Sequence, residues 1–209
     1  GGAVRFDEFM NIALYGNDGF YTRTTKVGRA GRRGDFLTSP EVGPLFGAVI
    51  ARAIDSWWDE LGRPREFTVV DAGAGPGTLA RAVLAAKPVC SDALRYVAVE
   101  VSAAQRALHP SDIDSRAEMP TEAFVGVILA NELLDNLPFR LFVFDDSWRE
   151  AHVEMDGNRC VEMLRACADL PACLALSEGR VGHGASPQHG ARVAVQERAA
   201  QWVSEALGL

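Results

Sequence analysis

The 209-residue sequence predicts an α/β fold: a doubly wound, mostly parallel sheet with an inserted antiparallel β-meander. Between residues 67 and 130, short apolar runs alternate with helix-forming runs, as in β-α-β units with parallel strands. After Pro138 the pattern changes to three short strands separated by turn sequences. A long amphipathic helix precedes both parts. We therefore expect a parallel sheet to which N-terminal helices and a meander are added.

Residues 1–66 are predicted to form an N-terminal segment of helices and loop that packs on the core. Apolar residues at helical spacing predict a first helix over residues 5–15. Residues 16–38 are rich in Gly, Asn, Asp, Thr and Arg, which predicts a long irregular segment. A second helix is predicted over residues 38–61, because its apolar residues lie near one face and Gly62 ends it.

Residues 67–139 are predicted to be the ligand-binding core. The first strand is rich in β-branched residues, which suits a strand buried on both faces. Strand and helix patterns then alternate with the short connections that place successive strands parallel. The predicted elements are strand 67–72, helix 76–86, strand 94–99, helix 102–108, strand 112–116 and strand 124–130.

Residues 140–192 are predicted to form the β-meander and a glycine-rich loop, and residues 193–209 a core helix. Two good turn sequences, beginning at Asp145 and Asp156, separate the meander strands. The fourth parallel strand leaves an apolar sheet edge, so we expect the chain to be truncated before further strands that would follow Leu209. The predicted elements are strands 140–144, 148–155 and 159–164, loop 176–191 and helix 193–207.

Charge and composition exclude two classes of partner. A net charge of −7 and a pI of about 5.1 argue against a surface that binds nucleic-acid phosphates. The sequence contains no run of 18 apolar residues, so a membrane span is not predicted. It does not begin with a basic-then-apolar leader, so a secretory signal is not predicted either. We expect a soluble, cytoplasmic protein without a nucleic-acid partner; the sequence does not predict its oligomeric state.

Cysteine and histidine spacing predicts neither a disulfide framework nor a metal site. The four cysteines include no C-x-x-C pair, and a chain of this size does not need disulfides to fold. His183 and His189 share a glycine-rich loop, but no further ligand lies at a usual spacing. We expect reduced cysteines and no bound metal.

A glycine turn after the first core strand predicts a ligand site. Gly73, Gly75 and Gly77 let the backbone turn sharply and approach a ligand, and the following helix points its free amides at the turn. A dinucleotide fingerprint would need glycine at position 78, which is Thr78. Asp71 would repel a pyrophosphate but attract a sulfonium, which favours S-adenosylmethionine. The alternative is a tight turn with solvated acids at its mouth.

Acidic and amide side chains follow two further strands. Glu100 ends the second strand, where it could accept hydrogen bonds from both hydroxyls of a ribose. Asn131, Glu132 and Asp135 follow the fourth strand, at the edge where open α/β sheets bind ligands. Asn131 could orient an amino group, and the two carboxylates could hold a guanidinium. The alternative is that Asp135 and Asn136 only turn the chain.

A third polar group precedes the second helix. Thr38, Ser39, Pro40 and Glu41 suit a helix start, because Thr38 and Glu41 have capping-box spacing and proline is common in the first turn. A role in the site is compatible with capping. Asp35 lies in a Gly-Asp-Phe loop and has no capping role, so a functional role is less easily dismissed for it.

Several strings between residues 6 and 150 match one family in order, and with them the chain resembles the MidA-like class I S-adenosylmethionine-dependent methyltransferases. That family includes a mitochondrial complex I assembly factor that methylates a protein arginine. The family usually has Glu where this chain has Asp71, and it continues with a strand and an Asp-Tyr-Gly turn that are absent here. The strings are Phe6-x-x-Phe9-Met10-x-x-Ala13-Leu14-Tyr15, Gly19-Phe20-Tyr21, Gly34-Asp35-Phe36-x-Thr38-Ser39-Pro40-Glu41, Gly73-x-Gly75-x-Gly77-Thr78-Leu79, Tyr96-x-x-Val99-Glu100-x-Ser102, Asn131-Glu132-x-x-Asp135-x-Leu137-Pro138 and Trp148-x-Glu150.

The resemblance implies a Rossmann-like methyltransferase sheet, S-adenosylmethionine as cofactor and methyl transfer to a protein nitrogen, an arginine of a respiratory-complex subunit or a similar protein. A buried pair of carboxylates would orient the guanidinium and accept its proton. The implied residues fall into three groups: for the cofactor, Asp71, Gly73, Gly75, Gly77, Thr78, Leu79, Glu100, Val101, Ser102 and Asn131; for catalysis, Asn131, Glu132 and Asp135; for substrate or site closure, Asp35, Thr38, Ser39, Pro40 and Glu41.

Other hypotheses stay open at this point. The chain could be a non-catalytic assembly factor that retains the methyltransferase fold, or it could methylate a small molecule. A nicotinamide-dependent oxidoreductase is disfavoured by Thr78 and Asp71.

Overall fold

The structure, a computed structural model, consists of two compact units. One unit combines Gly1–Gly19 with Leu137–Leu209, and we call it the meander unit. The other is Phe20–Asn136, which we call the parallel-sheet unit. Each has a sheet and an apolar core of its own. The structure describes residues 2–22, 43–174 and 187–208.

The helices and strands alternate along the middle of the chain, as predicted, and strands dominate after residue 139. Within the described ranges, no helix is long and apolar enough to cross a membrane. In chain order the elements are β1 (Val4–Arg5), α1 (Phe6–Tyr15), α2 (Pro44–Glu60), β2 (Phe67–Ala72), α3 (Thr78–Ala85), β3 (Leu94–Val99), α4 (Ala103–Arg106), β4 (Asp114–Arg116), β5 (Gly126–Leu129), a 3₁₀ turn (Leu134–Asn136), β6 (Arg140–Asp145), β7 (Ser147–Asp156), β8 (Arg159–Ala166), β9 (Arg192–Val195) and α5 (Glu197–Leu207).

The sheet of the parallel-sheet unit has the strand order β4-β3-β2-β5, and every pair in it is parallel. β2 is flanked by β3 and β5, with Val69 opposite both Tyr96 and Val127. All six residues of β2 are buried. Because the strands are parallel, the segments after β2, β3 and β5 leave the sheet at one common edge. The predicted α/β fold class is confirmed.

Apolar side chains cover both faces of β2, which explains its continuous β-branched run. On one face, Val69 packs with Ile54 of α2 and Val83 of α3. On the other face, Val70 packs with Val97 of β3. The two clusters bury the central strand on both faces up to the point where the glycine turn begins.

Two predicted helix starts are wrong. The second helix begins at Pro44 rather than at Thr38, because Gly43 has an extended backbone and proline suits the first helical position. The last helix does not include Val193. Val193 and Val195 belong to β9, a strand that pairs with β6 and packs on the core of the meander unit.

The sheet of the meander unit is antiparallel. Its order is β1-β7-β6-β9, and β8 also pairs with β7. The three predicted meander strands are present as β6, β7 and β8. Phe142, Trp148 and Leu174 form the core of this unit, and the ring of Phe144 meets that of Trp148 edge-on at 5.3 Å. β1 and β9 were not predicted, because strands this short are stabilised mainly by pairing with distant partners.

A buried ion pair joins β6 and β7 in the meander unit. Arg140 Nε donates to Glu150 Oε1 at 2.7 Å, and Arg140 Nη2 donates to Glu150 Oε2 at 3.2 Å. The two side chains are only 10% and 7% exposed. Burial by itself raises the pKa of Glu150, but the guanidinium of Arg140 outweighs it and holds that pKa below its ordinary value. Glu150 is therefore an ionised structural partner of Arg140.

We expect Glu150→Gln to lower the free energy of unfolding by about 3 kcal/mol, because it removes the buried counter-charge of Arg140 and leaves only the exposed Glu197, 3.9 Å away. Chemical denaturation at neutral pH measures this loss. Glu162→Gln is the matched control, since Glu162 pairs with the more exposed Arg192 in the same sheet and such pairs contribute about 0–1 kcal/mol. Equal losses in the two variants would contradict the special role of Glu150.

Candidate active site

The turn after β2 is folded back on the end of β3. Gly73, Gly75 and Gly77 have φ of 74°, 55° and 77°, in the left-handed region that glycine adopts without strain. The amides of Gly73 and Ala74 both donate to the carbonyl of Val99, at 2.9 and 3.0 Å. α3 begins directly after the turn, at Thr78. The turn therefore presents backbone at the carboxyl edge of the sheet, with a helix start beside it.

Glu100 closes this turn from the neighbouring strand. Its Oε2 accepts from the amide of Gly75 at 3.0 Å, and its Oε1 accepts from the amide of Ser102 at 2.8 Å. The residue is 8% exposed. A carboxylate has about four acceptor sites, so two remain for the hydroxyls of a ribose. This donor and acceptor chemistry fits the ribose of S-adenosylmethionine.

Asp71 places a second carboxylate beneath the turn. It is 2% exposed, and its Oδ2 accepts from the hydroxyl of Tyr96 at 3.0 Å. Burial raises the pKa of Asp71 to about 6, because the hydrogen bond from Tyr96 only partly offsets the loss of solvent and the charge of Glu100 opposes a second anion. Most of the group is still ionised at neutral pH. A negative charge beside the glycine turn fits a cationic cofactor.

His109 braces the glycine turn and was not predicted as a site residue. Its Nε2 lies 2.8 Å from the carbonyl oxygen of Gly75, and its Nδ1 lies 2.8 Å from Oγ of Ser115. Because a carbonyl only accepts, Nε2 must carry a proton. Glu100 thus holds the amide of Gly75 while His109 holds its carbonyl. No pattern in the sequence marks His109, since both contacts depend on how the strands pair.

The segment after β5 lies against the same turn. A side chain at Gly73 would meet Cδ1 of Leu133 at 3.1 Å, so glycine lets the two segments approach. Glu132 has a φ of 53°, which is unfavourable for a residue with a Cβ by roughly 1–2 kcal/mol. Glu132 and Asp135 are both exposed, so they are not the buried pair that we expected.

Tyr21 lies at this edge and was not predicted as a site residue either. Its hydroxyl donates to Oδ1 of Asn136 at 2.9 Å. Burial raises the pKa of Tyr21, and the charges of Asp135, Glu100 and Glu132 raise it further. Tyr21 is therefore within electrostatic range of acids that follow two different strands. Its string, Gly19-Phe20-Tyr21, was a signal in the sequence, but no chemistry was assigned to it.

The remaining predicted site residues differ in burial, and some of them lie outside the described residues. The side chain of Leu79 is buried in the core, while Val101 is 64% exposed. Within the described ranges, no three His, Cys, Asp or Glu side chains come together as metal ligands would. Five predicted site residues lie outside the described residues: Asp35, Thr38, Ser39, Pro40 and Glu41.

The fold and the site together define a class of protein. A central parallel strand enters a glycine turn, a buried acid ends the next strand with acceptor sites for a ribose, and a second buried acid suits a cation. These are the features of an α/β protein that binds S-adenosylmethionine.

Comparison with known proteins identifies the family. Residues 49–207 match the family described as "Putative S-adenosyl-L-methionine-dependent methyltransferase". Because this match spans well over half of the chain, the protein belongs to that family.

Named relatives are similar over part of their length. "Protein arginine methyltransferase NDUFAF7 homolog, mitochondrial" of Drosophila melanogaster is 29% identical over 188 residues, covering 75% of this chain and 43% of the fly protein. Its human counterpart, "Protein arginine methyltransferase NDUFAF7, mitochondrial", is 25% identical over 190 residues, covering 74% of this chain and 42% of the human protein. The chain therefore spans less than half the length of these relatives.

A solved structure is similar over nearly the whole chain. It is a COG1565 superfamily protein from Burkholderia thailandensis with S-adenosyl-homocysteine bound. The two structures agree with a TM-score of 0.76 at 28% identity, over 97% of this chain and 54% of the other. S-adenosylmethionine is accordingly the cofactor that the family and this structural neighbour support.

We expect Asp71→Asn to gain stability relative to the wild type as the pH rises. The folded pKa lies above the unfolded value, so protonation of Asp71 stabilises the fold fully below about pH 4, and this stabilisation is lost as the pH rises through about 6. Asparagine cannot ionise. The stability difference between variant and wild type should therefore shift by about 2–3 kcal/mol in favour of Asn between pH 4 and pH 8.

Denaturant titrations at several pH values measure this shift. Asp114→Asn is a control of opposite sign, because the hydrogen bond from Arg116 lowers the pKa of Asp114. A stability difference between Asp71→Asn and the wild type that does not change with pH would contradict the raised pKa of Asp71.

We expect His109→Ala to weaken the binding of S-adenosylhomocysteine about tenfold, the effect of losing one hydrogen bond that orders the turn. Titration calorimetry measures the affinity. His189→Ala is the control, because His189 is an exposed residue of the meander unit. Unchanged affinity in His109→Ala would show that the brace does not affect cofactor binding.

Proposed function

We propose that the chain carries the cofactor and catalytic residues of an S-adenosylmethionine-dependent methyltransferase that methylates an arginine side chain of a protein. The observation that carries the proposal is Glu100: a buried carboxylate that orders the glycine turn through Gly75 and keeps acceptor sites for a ribose. Membership of the methyltransferase family supports it, and so do the names of the fly and human relatives.

The predicted cofactor residues divide the binding between them. Glu100 would accept from the ribose hydroxyls, and the amides at the start of α3 would face the amino-acid end of the ligand. Asp71 would stabilise the positive charge of the sulfonium. When bound, S-adenosylmethionine supplies an electrophilic methyl group. Asn131 would line the reaction side of the site and help to align the acceptor.

Glu132 and Asp135 would hold the acceptor. Both carboxylates are exposed at the carboxyl edge, where an incoming side chain can reach them. Two carboxylates can bind a guanidinium by charge-assisted hydrogen bonds, which favours arginine over an uncharged acceptor. The acceptor nitrogen would form its bond to the methyl carbon as the carbon–sulfur bond breaks, and its proton would pass to one of these carboxylates.

Other parts of the proposal concern closure, partner and compartment. Asp35 and the segment Thr38 to Glu41 would close the site over the acceptor. A respiratory-complex subunit is the protein substrate that we propose from the family resemblance. The curated relatives are named as mitochondrial, and the cytoplasmic location expected from the sequence stays a prediction.

The test combines binding and transfer. We expect Glu100→Ala to weaken S-adenosylhomocysteine binding more than tenfold, and Glu132→Gln to leave it within twofold. Glu132→Gln should instead lower transfer of a radiolabelled methyl group to protein arginine at least a hundredfold, because the guanidinium loses its counter-charge and the proton its acceptor. Calorimetry and analysis of methylarginine in hydrolysed protein acceptors measure the two effects.

Glu60→Gln, an exposed substitution at the end of α2, is the control for both measurements. Absence of binding by the wild-type protein would refute the cofactor assignment. Binding with normal transfer by Glu132→Gln would refute the role of Glu132. Binding without transfer to any arginine would favour the hypothesis of a non-catalytic assembly factor.

A further inference from the structure

Two consecutive hydrogen bonds connect Tyr21 to the backbone of Glu132. The hydroxyl of Tyr21 donates to Oδ1 of Asn136 at 2.9 Å. Nδ2 of Asn136 then donates to the carbonyl oxygen of Glu132 at 2.7 Å. All three residues belong to the parallel-sheet unit, and Tyr21 is 115 positions before Asn136 in the sequence. A distant part of the chain therefore supports the segment that carries the acceptor carboxylates.

The donors and acceptors permit only one orientation of the Asn136 amide. The carbonyl of Glu132 can only accept, so Nδ2 must face it and Oδ1 must face Tyr21. A flipped amide would place two oxygens together at Glu132. The carbonyl of Glu132 thus fixes the amide orientation, and the hydroxyl of Tyr21 donates to the oxygen that this orientation presents.

Glu132 needs this support because of its backbone conformation. Among the described residues, four other than glycine have positive φ: Arg63, Lys87, Glu132 and Asp146. Arg63 and Lys87 come just after helices, and Asp146 lies in the turn between β6 and β7, where such conformations are common. Glu132 lies instead at the ligand edge of a parallel sheet. Strain at such a position persists only where surrounding contacts maintain it.

The environment of Tyr21 keeps its hydroxyl protonated. Burial and the carboxylates of Asp135, Glu100 and Glu132 disfavour the phenolate, so the pKa of Tyr21 lies above its ordinary value. The phenol therefore remains a donor throughout the neutral range, and its bond to Asn136 is not lost by ionisation.

We propose that Tyr21 is a positioning residue for methyl transfer, which acts through Asn136 to hold Glu132 in its left-handed conformation and so to direct its carboxylate at the acceptor. The proposal rests on the proposed function in assigning Glu132 to the acceptor. It adds Tyr21 to that function. Tyr21 precedes the cofactor-binding core, and its role is to orient the side chain of Glu132.

Kinetics with a protein-arginine acceptor test the catalytic consequence. We expect Tyr21→Phe to lower kcat about tenfold and to change KM for S-adenosylmethionine less than twofold, because it removes one hydrogen bond on the acceptor side. Asn136→Ala should have a similar effect, and the double variant should be no worse than Asn136→Ala alone. Glu60→Gln, the exposed substitution at the end of α2, is the control.

The Glu132→Gln background separates positioning from a general structural role. If Tyr21 acts only through Glu132, Tyr21→Phe should have no additional effect on the residual transfer of Glu132→Gln. An equal tenfold loss in both backgrounds would overturn the proposal. A loss of kcat accompanied by a proportional loss of cofactor affinity would also overturn it.

A second measurement requires neither cofactor nor acceptor, so it remains decisive if the proposed function fails. The ¹³Cα and ¹³Cβ chemical shifts of Glu132, measured by NMR of the whole protein, report its backbone conformation. We expect Tyr21→Phe to move them away from left-handed values, and Glu60→Gln to leave them unchanged. Unchanged shifts in Tyr21→Phe would refute the support of Glu132 by Tyr21, whatever reaction the protein performs.

Discussion

The carboxylate of Glu100 is the contact on which the rest of the site depends. It directly follows β3, and it accepts from the amide of Gly75 in the turn after β2 and from its near neighbour Ser102. Hydrogen bonds within the sheet hold the parallel strands together, and the carbonyl of Val99 accepts from the amides of Gly73 and Ala74 at the start of the turn. Glu100 orders the middle of the turn at the amide of Gly75, and His109 does so at the carbonyl of Gly75.

The same edge of the sheet concentrates features that are unfavourable for stability alone. Asp71 is a carboxylate buried beneath the turn, and Glu132 has a backbone conformation that residues with a Cβ avoid. Such features persist where the surroundings hold them, here Tyr96 for Asp71 and Asn136 for Glu132. In the meander unit, by contrast, Arg140 and Glu150 neutralise each other, which marks that charge pair as structural.

The sequence predicted well the strands that have a clear apolar pattern of their own, and it missed the strands that form mainly by pairing with a distant partner. β2 and β3 were predicted to the residue because their apolar runs are dictated by burial on both faces. β1 and β9 were missed because a strand of two or four residues has little pattern of its own and forms by pairing with β7 or β6. Likewise, Glu100 was singled out by its place at a strand end, whereas Tyr21 and His109 make contacts that only the folded chain creates.

The sequence by itself determined the parallel core, the glycine turn with its flanking acids, and the chemistry of a cationic, ribose-bearing cofactor, because local patterns and strand ends are properties of neighbouring residues. Only the tertiary structure decided which of these groups are buried or hydrogen-bonded, and which residues are their partners. It buried Asp71 against Tyr96, occupied half of the acceptor capacity of Glu100, and linked Tyr21 to Glu132 through Asn136. Hydrogen bonds between residues far apart in the chain require distances that no local pattern specifies.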